Sequence, residues 1–198
     1  MNKRDTQAKP LMSSGSDSIT VIGDGTLSGS YLLRLSVSDG ISLAFGKFQG
    51  GTPITIAAGS YLYVGSAMNG LASRLLRHAT RCDGKPPQEI RAHMLDLFPR
   101  LSLSRLPQKP PHDKRLHWHV DYLLDRIEVS LTHVYVLRSL ERLESSIVQY
   151  LEHDTHTCVF ERGLGASDSP GNTHLLGVRA DEYWWGTLAS RLNCHFFP

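Results

Sequence analysis

The run Tyr63-Val64-Gly65-Ser66-Ala67, continuing to Arg74-Leu75-Leu76-Arg77-His78, constrains this chain more than any other segment. Gly59 to Val64 has the aromatic and apolar content of a strand. Gly65-Ser66 is a tight turn in the middle of the run. Leu71 to Thr80 then has a helical period, with Leu71, Leu75 and Leu76 on one face and Arg74, Arg77 and His78 on the polar flank. A strand passing this closely into an amphipathic helix demands a sheet with a helix packed against it.

The flanking sequence extends that pattern. Gly29 to Val37 reads as a strand, Asp39-Gly40 as a hairpin signal, and Ile41 to Phe45 as the antiparallel partner of that strand. Phe48 to Pro53 is a Gly-rich loop. Residues 81–116 carry Pro86-Pro87, Pro99, Pro107 and Pro110-Pro111 and read as a basic, Pro-rich insertion or mobile loop around a short helix at Gln88–Phe98. Trp118 to Leu124 fits a helix or a strand, and Leu131 to Leu137 is a strand. Ser139 to His153 reads as a helix with Ser139 as N-cap and Leu140, Leu143, Ile147, Tyr150 and Leu151 as its apolar face. Gly163 to Asn172 is a loop, His174 to Val178 an edge strand, and Tyr183 to Leu192 a terminal helix. The order β-β-β-α, loop, β-α predicts an α+β fold, a small and mostly antiparallel sheet flanked by helices. Residues 1–17 are polar and read as a disordered tail before one domain over 18–198.

Charge sorts along the chain more than it accumulates. The net charge is only +2. Basic residues gather at Arg74, Arg77, Arg81, Arg91, Arg100, Arg105, Lys109, Lys114 and Arg115, whereas acids gather after Asp121. A basic middle suits a polyanion as readily as a solvated face. Cys82, Cys158 and Cys194 have no metal-ligand spacing, and their odd count argues against a disulfide framework. With no long apolar run and no secretory signal, the sequence predicts a cytoplasmic protein without a membrane partner.

The tyrosine, the Gly-Ser turn and the Arg74/His78 pair form a constellation suited to cleaving a phosphodiester. It offers a phenol to handle a proton, a guanidinium for phosphate and an imidazole as a second donor. The alternatives are plain: strand tyrosines packing on a half-buried sheet and an exposed basic helix face. His117-Trp118-His119-Val120-Asp121 would align His117, His119 and Asp121 on one face if it were a strand, as a metal set or as a hydrogen-bond cluster. Asp168 and His174 read as loop caps, Ser66 as a turn hydroxyl and Cys158 as core.

These residues resemble the GIY-YIG nuclease superfamily. Gly29-Ser30-Tyr31 stands at its first motif and Tyr63-Val64-Gly65 at its second. The closer resemblance is to a branch of GIY-YIG-like proteins catalogued as a domain of unknown function, also found fused to endonuclease III-like glycosylases. Its marks are Gly29-Ser30-Tyr31-Leu32-Leu33, Tyr63-Val64-Gly65-Ser66-Ala67, Arg74-Leu75-Leu76-Arg77-His78, His117 to Leu124, and Gly165-Ala166-Ser167-Asp168 before His174-Leu175. The interval Leu32–Leu62 is longer than in the typical nuclease, and Ser30 replaces a branched aliphatic residue. Ser169 and Gly171 stand where relatives often carry cysteines, which argues against zinc there. The asparagine that closes the family pattern has no counterpart.

The resemblance implies an endonuclease that hydrolyses DNA with Mg²⁺ or Mn²⁺, in repair or processing of DNA structures. RNA remains open as a substrate, and a DNA repair glycosylase or another repair protein is the implied partner. It implies Tyr31, Tyr63, Arg74, His78 and Glu144 as catalytic residues, with Glu144 as metal ligand and Glu141 as its rival. Tyr31 and Tyr63 both stand as general base, and a neighbouring cation has to lower the phenol pKa from about 10. Gly65, Ser66, Arg77, His117 and His119 are the expected substrate-binding residues. The alternative function is a nucleic-acid-binding module with weak or no cleavage, whose affinity would rest on Arg105, Lys109, Lys114 and Arg115.

Overall fold

The computed structural model describes residues 18–198 apart from 24, 106–107 and 165–172. The tail expected over 1–17 and the loop carrying Asp168, Ser169 and Gly171 lie outside the described residues. Among the described residues eight strands form: β1 Ile19–Ile22, β2 Gly29–Val37, β3 Ile41–Leu43, β4 Ile54–Ile56, β5 Gly59–Ala67, β6 Val129–Arg138, β7 Thr157–Val159 and β8 Leu175–Val178. The helices are α1 Leu71–His78, α2 Ile90–Arg100, α3 His119–Leu124, α4 Glu144–Glu152 and α5 Glu182–Phe196. The fold is α+β. A six-stranded sheet runs β1-β6-β2-β5-β8-β7, and β3 and β4 make a small second sheet. Only β1 with β6 is parallel in the large sheet; the other pairs are antiparallel.

Alternation along β2 and β5 sends successive side chains to opposite faces. Tyr31, Leu33, Leu35, Tyr61 and Tyr63 pack with α1, α2 and α3. Leu32, Leu62 and Val64 pack with α4 and α5, where Trp184, Trp185, Leu188 and Leu192 complete the second core. Gly29 opens β2 because a Cβ there would stand 2.1 Å from the Leu137 carbonyl oxygen.

Several expectations are corrected. β3 does not pair with β2, because β2 is bonded along its length by β5 on one side and β6 on the other. It folds back on β4 instead, a strand the sequence had concealed beside the Gly-rich loop. β8 is not an edge strand, since β7 pairs outside it. The helix expected from Ser139 begins only at Glu144. Ser139 Oγ accepts from the Glu141 amide, and Leu140 is 83% exposed. Within the Pro-rich stretch, α2 buries Ile90, Met94 and Phe98 in the first core. No helix among the described residues is long and apolar enough to cross a membrane.

Candidate active site

Where β2 begins and β5 ends, a cleft of about 400 Å³ opens between the sheet, α1, Trp118 and the start of α4. Tyr31, Tyr63, Ser66, Arg74, Trp118, Arg142 and Glu144 line it. Strand register brings the tyrosines together. Tyr31 stands opposite Gly65, and Tyr63 opposite Leu33. A Cβ on Gly65 would meet the Tyr31 hydroxyl at 2.5 Å and its Cζ at 2.6 Å. Only glycine lets the Tyr31 ring lie across β5, so Gly65 shapes the site sterically; the sequence reading had given it to substrate.

Both tyrosines are buried, and burial pushes both phenols up. Arg74 pulls the other way by its charge, and at Tyr31 also by a hydrogen bond, but burial prevails. Arg74 alone therefore does not bring either phenol below its ordinary value. Tyr31 has a partner of a different kind: its hydroxyl is 2.8 Å from His78 Nε2.

His78 was expected on an exposed flank with Arg74. It is fully buried, and burial pulls its pKa down to about 4 against the opposing influence of Asp121. It therefore cannot touch a phosphate. Its other nitrogen, Nδ1, lies 3.6 Å from Asp121 Oδ1. Arg77, expected to bind substrate, donates instead to Asp121 Oδ2 at 2.8 Å and to the Arg115 carbonyl. Arg74 remains at the cleft, its guanidinium 3.9 Å from the centre of the Trp118 ring.

Glu144, the first residue of α4, is held from two sides. Its Oε2 accepts from Ser66 Oγ at 2.5 Å, and its Oε1 is 2.7 Å from His174 Nδ1. Ser66 Oγ is also 3.2 Å from Ser30 Oγ, which accepts from the Leu143 amide beside the helix start. Burial alone would raise Glu144, but His174 and Ser66 outweigh it and hold the carboxyl below its usual value. Glu141 is exposed and outside the helix, whereas Glu144 lines the cleft.

The alternating His117, His119 and Asp121 face does not exist. Chain 119–124 is helical, and Asp121 sits at its third position, accepting from the His117 and Trp118 amides. His117 packs on Trp118, and His119 faces Phe45 and Phe48; the lining of the cleft includes Trp118 but neither histidine. Lys114 is buried and 3.2 Å from Asp121, so it is no phosphate contact. In sequence, Lys114 stood only among the cations for nucleic acid, Asp121 only on the supposed His117/His119 face and His174 as a cap, while Trp118 had no contact assigned to it; their meeting around His78 and Glu144 was not foreseen.

A family model described as domain of unknown function DUF123 matches residues 30–193, and the chain belongs to that family. No curated protein and no solved structure matches it.

Proposed function

We propose that this member of the DUF123 family is a metal-dependent nuclease with a GIY-YIG-like site, hydrolysing phosphodiester bonds in DNA during repair or processing of DNA structures. One observation carries the reading. Tyr31, Tyr63, Arg74 and Glu144, drawn from four elements, line one cleft with Ser66.

The residues fit a hard divalent cation. Glu144 is an oxygen donor kept anionic by Ser66 and His174. Among the described residues no group of three or more His, Cys, Asp or Glu could hold a metal, so substrate oxygens and water must complete the coordination of Mg²⁺ or Mn²⁺. When bound, the ion supplies positive charge to the phosphate oxygens. Arg74, steadied on Trp118, pairs with non-bridging oxygens. Tyr63, kept protonated by burial, donates a hydrogen bond to the same group.

Tyr31 is the better base because its hydroxyl has somewhere to send a proton. A free phenolate is costly in this buried position, so Tyr31 accepts the proton of the attacking water while passing its own to His78 Nε2. The water oxygen bonds phosphorus as the P–O bond to the leaving oxygen breaks, that oxygen takes a proton from solvent, and His78 returns its proton through Tyr31 to solvent as the product leaves.

The test is cleavage of labelled single-stranded, duplex, flap and branched DNA with Mg²⁺ or Mn²⁺, beside Glu144→Ala. Native cleavage should fall at least about 100-fold in the variant. Equal cleavage by both proteins would remove Glu144 from the mechanism. Binding without cleavage by the native chain would make it a nucleic-acid-binding module.

A further inference from the structure

We propose that Asp121 is the positioning carboxylate of a buried Tyr31–His78–Asp121 relay, fixing His78 as the Nδ1–H tautomer so that Nε2 accepts from the Tyr31 hydroxyl. Its chemical use rests on the nuclease reading, but its geometry stands apart from it. His78 Nδ1 is buried and, among the described residues, has no hydrogen-bond partner within ordinary distance. The Asp121 Oδ1 atom, 3.6 Å away, faces it. A lone pair on Nδ1 would point at a carboxylate, whereas a proton there is attracted by it. The proton therefore resides on Nδ1, which leaves the Nε2 lone pair facing the Tyr31 hydroxyl at 2.8 Å.

Asp121 is built to stay charged in that place. Its Oδ2 accepts from the His117 and Trp118 amides and from Arg77, and its Oδ1 also meets the Lys114 ammonium. His78 first, then Lys114 and Arg77, outweigh the cost of burial and hold the carboxyl well below its usual range. The amides alone would serve the start of α3; the imidazole beside Oδ1 adds a second task. Around His78 stand Tyr31 from β2, Tyr63 from β5, Arg74 and Arg77 from its own helix, Lys114, and Asp121 from α3. Asp121 is the negative charge that offsets an imidazolium when the Tyr31 proton arrives. The 3.6 Å contact would shorten at that moment, as contacts of this kind do on the way to the transition state.

Nitrogen spectra of ¹⁵N-histidine-labelled protein at pH 7 test the proposal directly, with His78 identified by its loss in His78→Gln. The native protein should show His78 neutral with the proton on Nδ1. Asp121→Asn should move it to Nε2, because the amide can offer a donor to Nδ1. Asp121→Asn with Lys114→Met keeps the buried charge balanced should the single variant not fold. On a DNA that the native chain cleaves, the double variant should lose about 100-fold in kcat with KM unchanged. An Nε2–H tautomer in the native protein would overturn the relay, as would an unchanged kcat in the folded double variant. The expected tautomer in a protein that cleaves no DNA would uphold the relay geometry and defeat the nuclease reading.

Discussion

Gly65 has no side chain, yet the position of Tyr31 depends on it. The Tyr31 ring occupies the space a Cβ would take, so Gly65→Ala must push the phenol away from His78. We expect a fall in kcat of about 100-fold, the usual order for a displacement near 1 Å at a reacting group. Overpacking should cost about 1–3 kcal/mol in urea unfolding. Native kinetics in a folded Gly65→Ala protein would show that the Tyr31–His78 contact is not used. At this scale the motif residues were legible: Tyr31, Tyr63, Arg74 and Glu144 meet at the cleft. His78 was placed on the wrong side because helical spacing puts it beside Arg74 but does not say which neighbour covers it. Asp121 and Trp118 reach α1 from a distant segment, and no local pattern records that docking.

The Pro-rich segment acts as a clasp between elements. Gln88 donates to the Leu124 and Val129 carbonyls and accepts from the Leu131 amide, tying α3 to β6. Arg81 adds hydrogen bonds to the carbonyls of Leu124, Arg126 and Val129. These are backbone groups with little access to water, so losing their partner carries a desolvation cost. Gln88→Leu should therefore destabilise the fold by about 2–4 kcal/mol in urea unfolding. Arg100→Ala, which removes an exposed pair with Asp96, should cost less than about 0.5 kcal/mol. Equal effects would mean that Gln88 is not a clasp. The sequence revealed α1, α2 and β2 because each carries its own period or composition. It concealed the clasp because prolines and a basic run look alike whether a segment is loose or fastened. It concealed β1, β4 and β7, strands of three or four residues, which unlike β3 have no hairpin signal before them.

Across the whole molecule, the strand order brings β2 and β5 to the centre of the sheet, a result of long-range pairing that local patterns do not encode. Burial of ionisable groups at that centre sets the response to pH. His78 is held neutral down to about pH 4, whereas in the unfolded chain it titrates near pH 6.5. Between those values the unfolded state binds the extra proton, so stability falls as pH drops, by about 3 kcal/mol from this group. Asp121, Asp125 and Asp154 are held below their unfolded values, and their contribution is lost as pH falls further. On the alkaline side, Tyr31 and Tyr63 have raised values. Their contribution is complete below about pH 10 and lost as pH rises through their folded values. Urea midpoints between pH 4 and 7 should therefore climb steeply in the native protein, and the climb should flatten in His78→Gln. An unchanged slope in that variant would show that His78 is not the buried neutral group that gives this limb its steepness.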